Sequence, residues 1–483
     1  MDVPAILRSG AAFAVDVLSR LADAQASLAV LTVRLLFRGG VSVVRLELDA
    51  GAGAPGGTAG ASPGGDPRRW CWCWELPFRA FVVQAARRDA ADDSRLPRLE
   101  VPDALAKDLL YRLALAGAPE GQPLWLKLAR PYGVLGTAPW EADLGAVLRR
   151  PVLRLPDFPE RPAERANVLE SAVIADACVR EGTEDAVRRV DQVVQAVLAA
   201  SSPRATARVH VFPSAWLHEP VRGLAVGRPV IVHDPVAAPT LREAAEAEEG
   251  GRKQPLRAAA WAAWIMRSLD GRCLDALHLV CHARWSEAGG GILITASPSP
   301  REGYATLTAV APEELALLAN RAGAWAVTFS PPSDRCARDV AFLADQFAHL
   351  RPGAVLFDPL PDAADRSSLD AAWRLLFSGK PAPPPVLDGG FLHCHPGFAR
   401  GEREPDADEP GGLVEAQPPA WVGAMRRFLE AAVLDEAKRA AADVLLSSPR
   451  PDEARPREDA GDAVARATLA AMQEILDRHA AKK

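Results

Sequence analysis

The chain has 483 residues, 49% of them hydrophobic, and a formal net charge of −6. That length exceeds one ordinary domain, and the acidic balance argues against a protein drawn to nucleic acid by a dominant positive field. No run of 18 or more apolar residues is free of charge, Met1-Asp2-Val3-Pro4 lacks the basic start of a signal peptide, and seven irregularly spaced cysteines do not read as a disulfide framework. The expectation is a cytoplasmic protein without a membrane span.

Ile6, Phe13, Val17, Leu21, Leu28 and Leu31 approximate a helical stripe, which predicts one or two amphipathic helices over residues 4–38. Val44, Leu46 and Leu48 alternate with Arg45 and Glu47 as a half-buried strand does. A Gly/Pro/Ser loop from Gly51 to Asp66 leads to a strand, Trp70 to Phe78, with three tryptophans on one face. Cys71 and Cys73 between those tryptophans read as core packing. A helix over Asp103 to Ala114 and a strand over Leu124 to Leu128 follow.

From Leu169 onward, short apolar runs alternate with longer amphipathic segments. Strands are predicted at Glu170–Ala177, Ala207–Phe212, Pro229–His233, Asp275–Cys281, Gly291–Thr295, Trp325–Phe329 and Gly353–Phe357. Helices are predicted at Glu184–Ala199, Arg257–Leu269, Pro312–Asn320, Arg335–His349 and Ser368–Phe377. Strands alternating with helices of crossover length imply an α/β domain, a doubly wound and mainly parallel sheet with helices on both faces. The short link from Val280 to Ile292 suggests an antiparallel pair at the sheet's edge. Pro381 to Pro385 ends the domain, Gly401 to Gly412 reads as an acidic linker, and Pro419–Ser447 and Ala460–Ala481 have helical spacing.

Two of the predicted strands end in residues able to do chemistry: Ala276-Leu-His-Leu-Val-Cys-His282 and Trp325-Ala-Val-Thr-Phe-Ser330. In open α/β sheets function gathers at the carboxyl ends of strands, and a base at one end with a nucleophile at the next is a hydrolase layout. His393-Cys394-His395 has metal-ligating residue types but no second ligand pair at conventional spacing, and Gly289-Gly290-Gly291 enters a strand instead of a helix. Neither a metal nor a cofactor is therefore expected.

Three segments together resemble the CHAT domain, a caspase-like module of bacterial proteins: Pro131-Tyr-Gly-Val-Leu-Gly-Thr-Ala-Pro-Trp-Glu141, Leu277 to His282, and Trp325 to Ser330. The resemblance covers roughly residues 120–380. It implies a caspase-like sheet at 121–380, preceded by an N-terminal α/β extension at 1–120 and followed by a linker at 381–415 and a helical tail at 416–483. Carried over by position, His282 matches the family's base and Ser330 its nucleophile. Three features depart from active members: serine stands in place of cysteine, Ala283 in place of glycine, and Pro331-Pro332 after the nucleophile. A hydroxyl is a poorer nucleophile than a thiolate, and neither proline has an amide N–H for an oxyanion. Cys336, at the start of a helix, is the alternative thiol. The expectation is a non-catalytic module that binds a protein partner or serves as a scaffold, in a bacterial defence or conflict system, with self-assembly left open. The alternative is a partner-gated endopeptidase with His282 as base and Ser330 or Cys336 as nucleophile.

Overall fold

A computed structural model describes residues 28–400 except 39, 51–69, 84–96, 119–120, 158–167, 177–182, 202–205, 248–256, 287–288, 303–305, 334–335, 360–366 and 379–381. The chain divides after Pro410, and all described residues precede that point. The expectations for residues 4–27, the Gly51 to Asp66 loop, the acidic stretch from Gly401 to Gly412 and the two C-terminal helices lie outside the described residues, whereas within the linker expected at 381–415 the segment Phe391–His393 is a strand of the sheet, paired on both sides.

The strands are β1 (Ala29–Arg38), β2 (Val41–Ala50), β3 (Trp70–Pro77), β4 (Val82–Val83), β5 (Arg98–Leu99), β6 (Leu124–Ala129), β7 (Val152–Arg154) and β8 (Val168–Asp176), followed by β9 (Thr206–Pro213), β10 (Val230–Val232), β11 (Ala276–Ser286), β12 (Gly289–Thr295), β13 (Leu307–Val310), β14 (Ala326–Ser330), β15 (Val355–Phe357) and β16 (Phe391–His393). One sheet runs β10-β9-β8-β11-β14-β15-β16-β7-β6-β1-β2-β3. From β10 to β15 every neighbouring pair is parallel. The direction then reverses: β16 is antiparallel to β15, and β16, β7, β6 and β1 form a second parallel block. β2 and β3 close the sheet as antiparallel strands. The two blocks run in opposite directions, so their carboxyl ends emerge at opposite edges of the sheet.

This is the doubly wound α/β architecture expected from the sequence. The interior strand β8 is buried along nearly its whole length, as a strand covered on both faces must be. On one face the helices Thr183–Ala200 and Ser367–Phe377 pack Val190, Val193, Val197, Leu369 and Trp373 against Val173, Val280, Ala326 and Leu356. On the other, the helices Ala259–Leu269, Pro312–Arg321 and Ala337–Ala348 bury Trp261, Leu315 and Phe347 against Ile174, Leu279 and Phe329. A third cluster, centred on the helix Asp103–Leu115 and Trp140, covers one face of β1, β2 and β6.

Three expectations are corrected. Ala29–Arg38 is a strand, because Val30 and Leu31 feed opposite faces and β2 and β6 satisfy the backbone on both sides. Cys71 and Cys73 are exposed, on the face opposite the half-buried Trp72 and Trp74. The antiparallel addition is not at an edge: β11, an interior strand, extends past its parallel partners and from His282 onward pairs with β12, which pairs with β13.

Candidate functional site at the carboxyl edge of the first parallel block

At this edge β8 ends in Asp176, β9 leads into Ser214, β11 leads through Cys281 to His282, β14 ends in Ser330 and β15 leads into Asp358. The parallel register sets Ser330 opposite Val280, and strand alternation puts His282 on the same face, one pleat beyond. Cys281 faces the opposite layer, where it is buried against that layer's apolar core.

The sequence-predicted base and nucleophile thus share a face, but no hydrogen bond joins them. Ser330 is 0% exposed and its hydroxyl has no hydrogen-bond partner. His282 is half-buried, and burial holds its imidazole below its usual proton affinity. Pro331 and Pro332, both buried, follow Ser330 and supply no N–H at the position where an oxyanion would need donors.

Cys336 is not an activated thiol. It occupies the N-cap of the helix Ala337–Ala348, where a dipole could favour the thiolate, yet burial pushes its thiol upward. Its S–H donates to the Ser333 carbonyl at 3.2 Å, an interaction with the protonated form. Arg189 lies close enough to oppose this shift, but its guanidinium donates to the Pro359 carbonyl at 2.6 Å.

Sequence reasoning missed two carboxylates here, although each carries the same signal as His282, a polar residue closing an apolar run. Asp358 lies beside Ser330 on the next strand; its N–H donates to the Phe329 carbonyl and its carboxylate accepts from Ser368 Oγ at 2.9 Å. Asp176 is fully buried. Burial raises its carboxyl to about 6, opposed by the Thr295 amide and by the nearby Thr295 and Ser214 hydroxyls.

The Pro-Trp-Glu segment serves a different end of the molecule. Glu141 is 2% exposed and its two carboxylate oxygens accept from Arg154 at 2.7 and 3.2 Å. Arg154 also donates to the Gly136 and Ala138 carbonyls and stacks 4.0 Å over the Phe391 ring. Tyr132 donates to Asp345 at 2.8 Å, and His349, 2.5 Å from that hydroxyl, reaches Asp157 at 2.7 Å. These contacts tie the loops after β6 and β7 to the far end of the helix Ala337–Ala348. The motif is a structural clamp at the opposite sheet edge, away from His282.

His393 is a buried strand residue beside Arg154, its imidazole held well below its usual affinity by burial and by that guanidinium. His395 is buried past the strand's end. Among the described residues no group of three or more His, Cys, Asp or Glu side chains is arranged to hold a metal ion. An open groove of about 410 Å³, between the start of the helix Thr183–Ala200 and Pro220, includes none of the candidate residues. No described helix is long and apolar enough to cross a membrane. No protein-family model, curated protein or solved structure matches the chain.

Proposed function

We propose that this chain is a non-catalytic caspase-like module of the CHAT type, which engages a protein partner through its α/β body. The observation that carries this reading is Ser330: a fully buried hydroxyl, without a base in contact, followed by two residues that cannot donate an N–H. A serine nucleophile needs an oriented base and a substrate carbonyl within reach, and a buried hydroxyl without a hydrogen-bond partner speaks against both. The sequence resemblance of Pro131–Glu141, Leu277–His282 and Trp325–Ser330 supports the family reading. A cytoplasmic setting in bacterial defence belongs to the same proposal, as does the absence of nucleic-acid binding.

The test is turnover of a diverse peptide pool by the full-length protein and by His282→Ala, Ser330→Ala and Cys336→Ala variants. The module reading expects no cleavage above background in any of the four. Cleavage by the unsubstituted chain that disappears in His282→Ala would replace it with the partner-gated endopeptidase. That second reading draws on one observation, the shared face of His282 and Ser330 on adjacent strands.

A further inference from the structure

The sheet ends at β3, and among the described residues no strand pairs with its outer side. An edge of eight residues, with no lysine and no proline before its last position, is a template for a further strand. Its own sequence matches one particular partner. Trp70-Cys71-Trp72-Cys73-Trp74 reads the same in both directions about Trp72. Antiparallel pairing of two copies about a two-fold axis at Trp72 therefore sets Trp72 against Trp72, and Cys71 against Cys73 in two equivalent pairs. Charge agrees with that register: Arg69 stands three residues before Trp72 and Glu75 three after it, so the same symmetry matches a cation to an anion.

The layer packed on this edge is also unfinished. Trp72 and Trp74 are half-buried beneath the helix Asp103–Leu115: the Trp74 indole donates to Asp108 at 2.8 Å, and the Arg112 guanidinium lies 5.5 Å from the Trp72 ring. Tyr111 and Leu115 share the side of the helix that carries Asp108 and Arg112. They are 58% and 55% exposed, and so extend the aromatic surface of β3 to solvent. We infer that β3 is a homodimer interface, where a second copy of this chain adds its own β3 antiparallel to the first about a two-fold axis at Trp72 and joins the two sheets into one. Cys71 and Cys73 lie on the face away from that helix, and sheet extension leaves this face open, so the reduced thiols stay accessible. The interface is independent of whether His282 and Ser330 react.

The first measurement is size exclusion with light scattering on the full-length protein in reducing buffer. A mass twice that of the chain is expected, falling to that of one chain in Cys71→Lys/Cys73→Lys, which places four like charges across the axis. A single-chain mass for the unsubstituted protein overturns the inference, as does a dimer undiminished in the double variant. The register is read by cross-linking with diamide, which takes two protons and two electrons from a pair of thiols to form one disulfide. Directly opposed antiparallel residues have Cα atoms about 4.5–5.5 Å apart, inside the disulfide range of about 4.4–6.8 Å, whereas diagonal neighbours about 7–8 Å apart fall outside it. Cys71→Ser and Cys73→Ser, mixed and allowed to exchange subunits, are expected to give several-fold more dimer linked from Cys71 to Cys73, mapped by mass spectrometry, than either variant gives through its remaining β3 thiol alone. Equal linkage in the mixture and in the separate variants rejects the register, and no linkage in the mixture rejects the interface.

Discussion

His282 and Ser330 stand on the same face of adjacent parallel strands, one pleat apart, and do not hydrogen-bond. Ser330 closes β14 with its hydroxyl buried, while β11 carries His282 on past the parallel block into its pairing with β12. Several measurable consequences follow from that packing and from the clamp at the opposite edge.

The Glu141–Arg154 pair is almost wholly excluded from water. Arg154 also pairs with the buried Asp345 at 3.4 Å, so removing Arg154 leaves two buried carboxylates without their cation, whereas removing Glu141 leaves Arg154 one carboxylate partner. Arg154→Ala is expected to lower unfolding stability by about 3–5 kcal/mol in denaturant titration, and Glu141→Ala by less. Gly136→Ala is expected to destabilise as well, because an added Cβ would meet the Asp345 carboxylate and the Tyr132 ring.

Burial holds His278 at about 3, well below its ordinary value of 6.5. The unfolded chain binds this proton first as the solution is acidified. Its contribution to stability is therefore complete above about pH 6.5 and is lost progressively as the pH falls toward 3. The ceiling on that loss is on the order of 5 kcal/mol. His278 is hydrogen-bonded to the Thr328 hydroxyl. The double variant His278→Leu/Thr328→Val removes the proton acceptor without orphaning that hydroxyl, and a shallower acid limb in its stability-versus-pH curve is the expected result.

Thiol accessibility divides the described cysteines cleanly. Cys71, Cys73 and Cys273 are exposed, whereas Cys281, Cys336 and Cys394 are buried. Brief alkylation of the native protein, mapped by mass spectrometry, should modify the first three and spare the others until denaturant is added. Rapid modification of Cys336 would contradict the packing described for the candidate site.

Much of the parallel region was legible in the sequence. The apolar runs that became β8, β9 and β14 were interrupted near the right places by polar residues, the run of β11 began where expected but carried on to Ser286, and the helices between them had clean amphipathic spacing. Short strands were not legible: Val152–Arg154 and Phe391–His393 offer too few residues to show a period, although β16 is where the sheet reverses. Ala29–Arg38 carried an apolar pattern compatible with a helix, and only pairing on both sides made it a strand. In the candidate site, His282 and Ser330 were visible as polar residues closing apolar runs; Ser330 does end β14, but β11 continues past His282 to Ser286 by pairing with β12, which no local pattern announced. The role of Glu141 was hidden for a similar reason, since Arg154 meets it only through the fold.

The most direct test of the central claim is covalent labelling of the full-length protein with a serine- and cysteine-reactive electrophile, read by intact mass and peptide mapping. A buried Ser330 without a partnered base is expected to show no modification, and no labelling should depend on His282. A stoichiometric adduct on Ser330 or Cys336 that vanishes in His282→Ala would contradict it and restore a working nucleophile and base to this edge of the sheet.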